Sequence, residues 1–173
     1  MSSPLERPIG LTLQSAMSVR TVNANDASAI WRLVEGCETL DKNSCYAYLL
    51  LCNDFADTCM AAFNGKQLVG FILGYRPPNR KETLFVWQVG VDGAARGKGI
   101  GKQLLAALAN REVARGTRFL EATVTPGNAA STRLFSSFAA SRECEMVMSP
   151  HFSSNQFASS QHDDELLIRI GPL

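Results

Sequence analysis

Several kinds of pattern are scarce or missing in this 173-residue sequence. It holds 17 lysines and arginines against 16 aspartates and glutamates, for a net charge of +1. The broad basic footprint of a nucleic-acid binder is therefore lacking, and any anion must be held at a local site. Five cysteines, Cys37, Cys45, Cys52, Cys59 and Cys144, form no C-x-x-C pair. Their odd number speaks against a disulfide framework and suggests free thiols in a reducing compartment, the cytoplasm. The longest apolar run in the first half, AYLLL, falls far short of the ~20 residues that span a bilayer. Histidine occurs only twice, and His162 lies in the contiguous run HDDE. That run lacks ligand spacing, so a solvated loop and no metal are expected. No internal repeat is present.

What is there suits one compact domain: 46% of the residues are hydrophobic and 19% charged. Residues 1–17 mix Ser, Pro and Gly without period and read as a flexible tail, leaving a single domain over 18–173. SVRTV reads as a first strand. Asn25 or Asp26 is expected to cap a helix carrying Ile30, Leu33, Val34 and Cys37, and Ser44 to cap a short second one whose Tyr/Leu run at 46–51 enters the core. DTCMAAF and QLVGFILGY flank an Asn-Gly hairpin signal. After the proline-broken loop RPPNRKE, TLFVWQVGVD reads as a strand, residues 100–115 as a helix, RFLEATVT as a strand and residues 128–139 as a helix. RECEMVM and ELLIRI close the chain as late strands. The order βααβββαβαββ predicts a mixed α/β (α+β) sheet of about seven strands with helices on both faces, because the parallel strands need a helical crossover.

RGKGIGKQLL, residues 96–105, places three glycines at every second position among Arg96, Lys98 and Lys102, directly before a helix. A helix N-terminus presents free N–H groups and a partial positive charge, and glycine lets backbone approach a phosphate closely. Spacing excludes two nucleotide motifs. A Walker loop needs glycine where Arg96 stands and Ser or Thr where Gln103 stands; a Rossmann fingerprint begun at Gly97 needs glycine where Lys102 stands.

The spacing that fits is R-x-x-G-x-G, at Arg96, Gly99 and Gly101, which resembles the acetyl-CoA pyrophosphate loop of the GNAT superfamily of N-acetyltransferases. FVWQVGVD before it resembles that superfamily's splayed central strand, and TVTPGNAASTRLF after it resembles its second cofactor motif. Further stretches, DKNSCYAYLLLCNDFADTC, GFILGYRPP, TLFVWQV and ELLIRIGP, are similar to the branch of the superfamily that acetylates L-2,4-diaminobutyrate in bacterial ectoine synthesis. That likeness covers about residues 18–172.

The resemblance implies acetyl-CoA as cosubstrate, held by Val89, Val91, residues 96–102 (Arg96, Gly97, Lys98, Gly99, Ile100, Gly101 and Lys102), Asn128 and Ser131. It implies an oxyanion donor on the backbone near Val89 and a homodimer. For the acceptor, Asp41, Asn43, Ser44 and Tyr46 occupy the inter-helix loop where such enzymes admit substrate. Glu121, on the strand beside the central one, is the expected base, with Thr123 on the same face. Trp87 is expected to wall the pocket in preference to Gln88, since consecutive strand residues face opposite ways. His151 is expected to close the pocket. Phe135 stands where the superfamily often has a tyrosine acid, so Tyr46 or solvent must protonate the departing thiolate. Two rival readings are another small-amine acetyltransferase and a non-catalytic acetyl-CoA-binding module.

Overall fold

The computed structural model describes residues 17–37, 39–158 and 162–173; the expected tail, apart from Met17, lies outside them. Its seven strands are β1 (Met17–Thr21), β2 (Met60–Asn64), β3 (Gln67–Tyr75), β4 (Thr83–Val91), β5 (Phe119–Val124), β6 (Met146–Phe152) and β7 (Glu165–Ile170). Four α-helices accompany them: α1 (Ala27–Glu35), α2 (Cys45–Asp54), α3 (Ile100–Val113) and α4 (Ala129–Ser141). The strands form one mixed sheet in the order β1-β2-β3-β4-β5-β7-β6. Only β4 and β5 pair in parallel, joined through α3 as the crossover requires.

Local chemistry sets the elements. The β2–β3 loop is Gly65 and Lys66, with Asn64 already paired to Gln67; Gly65 takes φ 60°, so the glycine occupies the first turn position rather than the second. Asp26 takes the N-cap position of α1 as expected but makes no capping bond there, because its side chain is turned back to Asn23, which caps the preceding 3₁₀ turn at Ala24–Asp26 in a reciprocal box. Ser44 caps α2 as expected, accepting from the Ala47 N–H at 3.3 Å.

Two apolar layers sandwich the sheet. On one face Ile100, Leu104, Leu105 and Leu108 of α3 and Phe135 and Phe138 of α4 pack against Leu84, Val86, Leu120 and Ile168. On the other, Ile30 and Val34 of α1 join Tyr48 and Cys52 of α2 over Phe71 and Leu73. Of the Tyr/Leu run expected to be core, Tyr48 is fully buried while Tyr46, Leu49 and Leu50 are exposed, since one stripe of α2 suffices to cover the sheet. The five cysteines are free, and burial pushes the thiols of Cys52 and Cys59 up to about 12 and about 11, so both are packing groups rather than nucleophiles.

Arg76, beyond β3, donates at 2.7 Å to Glu112, whose side chain is wholly buried in α3. This pair ties the far end of the crossover helix to the sheet. Glu112→Ala removes this charge-assisted hydrogen bond but leaves a guanidinium that is 34% exposed and can turn to water, so the expected cost is about 2 kcal/mol. The denaturation midpoint should fall with an unchanged slope in urea; an unmoved midpoint would show that the pair contributes nothing.

Candidate functional site

The central strand sets the geometry. β4 pairs with β3 through Val91, but its parallel ladder with β5 covers only Thr83–Val86. Beyond Val86 the two strands part. The Asp92 N–H donates to the Val69 carbonyl of β3 at 2.9 Å, and alternation along the strand turns Gly90 and Gln88 the same way. The backbone groups of Val89 and Val91 therefore face the opening. Consistent with this, the Val91 carbonyl accepts from Arg96 Nε at 3.3 Å.

A large groove of about 1450 Å³ lies at the α3–α4 end of that opening, lined by Val89, Val91, Arg96, Gly97, Gly99, Ile100, Gly101 and Lys102, with Asn128, Ser131 and Arg133 of the α4 side. Gly97 and Gly99 take φ 77° and 76°, conformations that bend the chain so that α3 begins at Ile100 with no side chain capping it. The first-turn N–H groups of α3 thus stay available to an anion, as the glycine spacing suggested. Lys98 is exposed and absent from the lining, because the turn that directs its neighbours inward points it out. Asn128 caps α4, accepting from the Ser131 N–H at 3.0 Å.

A second cavity of about 420 Å³ shares Thr39, Leu40, Val89, Thr125, Asn128 and Ser131 with the groove. The two meet at the parted strands. Asp41, Asn43, Trp87 and Thr123 line this cavity, as expected from the sequence.

Four expected acceptor residues do not. Ser44 is occupied in capping α2, and Tyr46 is 66% exposed on the outer face of that helix. His151 is exposed on β6, its ring against Phe152 at 4.1 Å. Glu121 is buried, but Arg80 donates to one oxygen at 3.0 Å and Arg169 to the other. A carboxylate held by two guanidiniums is a structural ion pair, and it lies two residues, roughly 7 Å, from Thr123 along β5.

The cavity instead contains one acid and several aromatics that the sequence did not single out. Glu165, at the start of β7, is brought in because β7 pairs with β5, setting Leu167 opposite Thr123. Burial raises the Glu165 pKa, the nearby Asp41 charge adds to this, and a hydrogen bond from Thr123 with the two histidines opposes it. His162 also lines the cavity, stacked on Phe157 at 3.7 Å with its Nε2 at 3.9 Å from Glu165. Of its run, His162 and Glu165 face the pocket, while Asp163 and Asp164 are exposed as a solvated loop would have them. Among the described residues no cluster of His, Cys, Asp and Glu has the arrangement of a metal site.

Trp87 and Gln88 both line the cavity, against the alternation rule. The reason is a β-bulge: Leu73 pairs with Gln88 and Gly74 with Val86, leaving Trp87 as the extra residue. Both then reach Tyr48. The Trp87 ring lies 6.0 Å from the Tyr48 ring, and the Tyr48 hydroxyl donates to Gln88 Oε1 at 3.0 Å. Gln88 Nε2 in turn donates to the Asp41 carbonyl at 2.9 Å. Leu40 fills the space over Gly90, where an added Cβ would stand 2.9 Å from its side chain and 2.6 Å from Phe71. The loop bearing Asp41 is thereby fixed to the central strand.

Comparison with known proteins agrees with this geometry. The acetyltransferase (GNAT) family model matches residues 27–139. An L-2,4-diaminobutyric acid acetyltransferase of Marinococcus halophilus is 46% identical over 147 residues, 85% of each chain. One from Halalkalibacterium halodurans is 40% identical over 94% of this chain and 85% of its own. The solved diaminobutyrate acetyltransferase EctA from Paenibacillus lautus, in complex with L-2,4-diaminobutyric acid and coenzyme A, superposes with a TM-score of 0.87 at 40% identity. That match covers 91% of this chain and 96% of the other. The chain belongs to the diaminobutyrate acetyltransferase family of GNAT enzymes.

Two substitutions separate the cavities. Gly99→Val forces a β-branched residue into φ 76° and should weaken acetyl-CoA binding at least tenfold by calorimetry while the circular dichroism spectrum is retained. Gln88→Leu removes both hydrogen bonds of this amide, releases the Asp41 loop and should raise KM for the acceptor at least tenfold, with KM for acetyl-CoA unchanged. Equal effects of Gln88→Leu on both constants would place its role in folding alone.

Proposed function

We propose that this chain transfers the acetyl group of acetyl-CoA to the N4 amine of L-2,4-diaminobutyrate, yielding N4-acetyl-L-2,4-diaminobutyrate and CoA. The carrying observation is the junction at Val89 of a basic groove and an acidic pocket. Arg96, Lys102 and Arg133 give the groove its charge for the cofactor's diphosphate, and Asp41 and Glu165 give the pocket its charge for ammonium groups. Family membership supports the same reading.

An alkyl ammonium with a pKa near ~10.4 is mostly protonated at neutral pH and must lose its proton before attack. Glu165 takes it. Its raised pKa narrows the gap to the amine, and its place in the pocket wall puts the carboxylate where the acceptor enters. The neutral nitrogen adds to the thioester carbonyl, whose oxygen gains negative charge and is met by the Val89 N–H facing the opening. Collapse breaks the carbon–sulfur bond, and the nitrogen, now an amide, gives up its second proton to solvent. Phe135 has no proton to give, Tyr46 is outside, and Tyr48 is committed to Gln88. The thiolate, with a pKa of ~8.5, leaves unaided and is protonated by solvent.

Regiochemistry follows from two anchors. The α-amine is the weaker base and the easier nucleophile for an unselective catalyst. Asp41 holds it as the ammonium, leaving the terminal nitrogen at Glu165 and the thioester. The product then serves ectoine synthesis, and hence osmoadaptation, in the cytoplasm. A homodimer forms through β6, an edge strand on which Val147, Met148 and Phe152 are exposed.

Glu165→Gln should lower kcat by about 10²–10⁴ with cofactor affinity kept. In the wild type, an acid with a raised pKa becomes protonated at a higher pH than ordinary glutamate, so activity should fall on the acid side through that raised value. The variant should lack this limb. A rate–pH profile identical in both proteins would remove Glu165 from the proton path. For assembly, Met148→Lys is expected to convert the dimer to monomer in sedimentation equilibrium; a wild-type monomer would refute the β6 contact.

A further inference from the structure

The acceptor cavity is charged on one side of the ledger only. Its lining carries the carboxylates of Asp41 and Glu165 and contains no lysine or arginine among the described residues. The cations on neighbouring elements are engaged elsewhere. Arg80 and Arg169 both hold Glu121, Arg76 holds Glu112, and Arg96, Lys102 and Arg133 line the cofactor groove. His162, the one basic group in the wall, sits against Glu165 with its ring stacked on Phe157. The neutral donors are also partly spent: the Asn43 amide donates to the Asp41 carbonyl at 3.2 Å and the Gln88 amide to the same carbonyl at 2.9 Å. Around them stand Tyr75, Phe85, Trp87, Phe135, Phe152 and Phe157, aromatic rings whose faces attract ammonium and not carboxylate.

Diaminobutyrate presents two ammonium groups and one carboxylate. Two acids and an aromatic wall answer the former; no fixed cation answers the latter. We infer that the pocket reads the pair of amines and leaves the carboxylate at the solvent side, so that the enzyme also acetylates carboxylate-free diamines of the same spacing, with 1,3-diaminopropane as the type. This rests on the assignment of the second cavity as the acceptor site. The step is the same: Glu165 takes the ammonium proton, the neutral nitrogen adds to the thioester carbonyl, and as the carbon–sulfur bond breaks the nitrogen gives its second proton to solvent while solvent protonates the thiolate. N-Acetyl-1,3-diaminopropane and CoA result.

The test removes one substrate group at a time. 1,3-Diaminopropane lacks only the carboxylate and 4-aminobutyrate lacks only the α-amine, and each is compared with diaminobutyrate by CoA-thiol release, the products being identified by mass spectrometry. A site built to pair a polar group rejects an analogue without it by about 10⁴–10⁵ in kcat/KM. The expected result is kcat/KM for 1,3-diaminopropane within about a hundredfold of diaminobutyrate and above that of 4-aminobutyrate, because only the latter forfeits a built contact. A value for diaminopropane more than a hundredfold below diaminobutyrate, or the reverse order of the two analogues, overturns the inference. Failure to turn over diaminobutyrate itself would instead sink the acceptor assignment on which it rests.

Discussion

The parting of β4 from β5 after Val86 is the constraint on which the rest depends. A continuous parallel ladder would satisfy the backbone of Val89 and Val91 within the sheet, and no opening would exist. Because the ladder stops, those groups must find partners outside it, and Arg96 already supplies one to Val91. The same gap lets a cavity on each side reach a common point. Chemistry at Val89 is therefore a consequence of unfinished strand pairing, kept open by α3 and α4 packing below and the Asp41 loop above.

That loop has no regular structure of its own, yet it must hold a carboxylate in place. Its rigidity is borrowed from the core: Tyr48, fully buried, fixes Gln88, and Gln88 fixes the Asp41 carbonyl. Burial of the Tyr48 ring raises its hydroxyl pKa, so the phenol stays a donor and the chain of hydrogen bonds has one direction. The bulge at Trp87 is the device that allows it. Without the extra residue, Gln88 and Trp87 would lie on opposite faces of the sheet.

This also explains what was legible in the sequence. Element order, the hairpin, the Ser44 cap and the glycine loop all depend on residues close together in the chain, and they could be read there. Asp41 came from resemblance, Thr123 from the strand face it shares with Glu121 and Trp87 from its place on the strand, and all three lie in the cavity. Glu121 and Glu165 were separable only by tertiary pairing. Both sit on neighbouring strands, but the arginines that neutralise Glu121 come from positions 80 and 169, and Glu165 enters the pocket through the β5–β7 register. His162 looked like surface because its polar neighbours are contiguous; its stack on Phe157 is invisible to any local pattern. Gln88 was set aside by a strand rule that a one-residue bulge suspends.

The junction of the two cavities also bears on the order of events. No cysteine or other strong nucleophile stands among the six residues they share, which are Thr39, Leu40, Val89, Thr125, Asn128 and Ser131, with Ser131 near the cap of α4. Each substrate has its own doorway, and neither needs to vacate for the other. This layout suits a single displacement within a ternary complex, for which initial-rate lines for the two substrates are expected to intersect instead of running parallel.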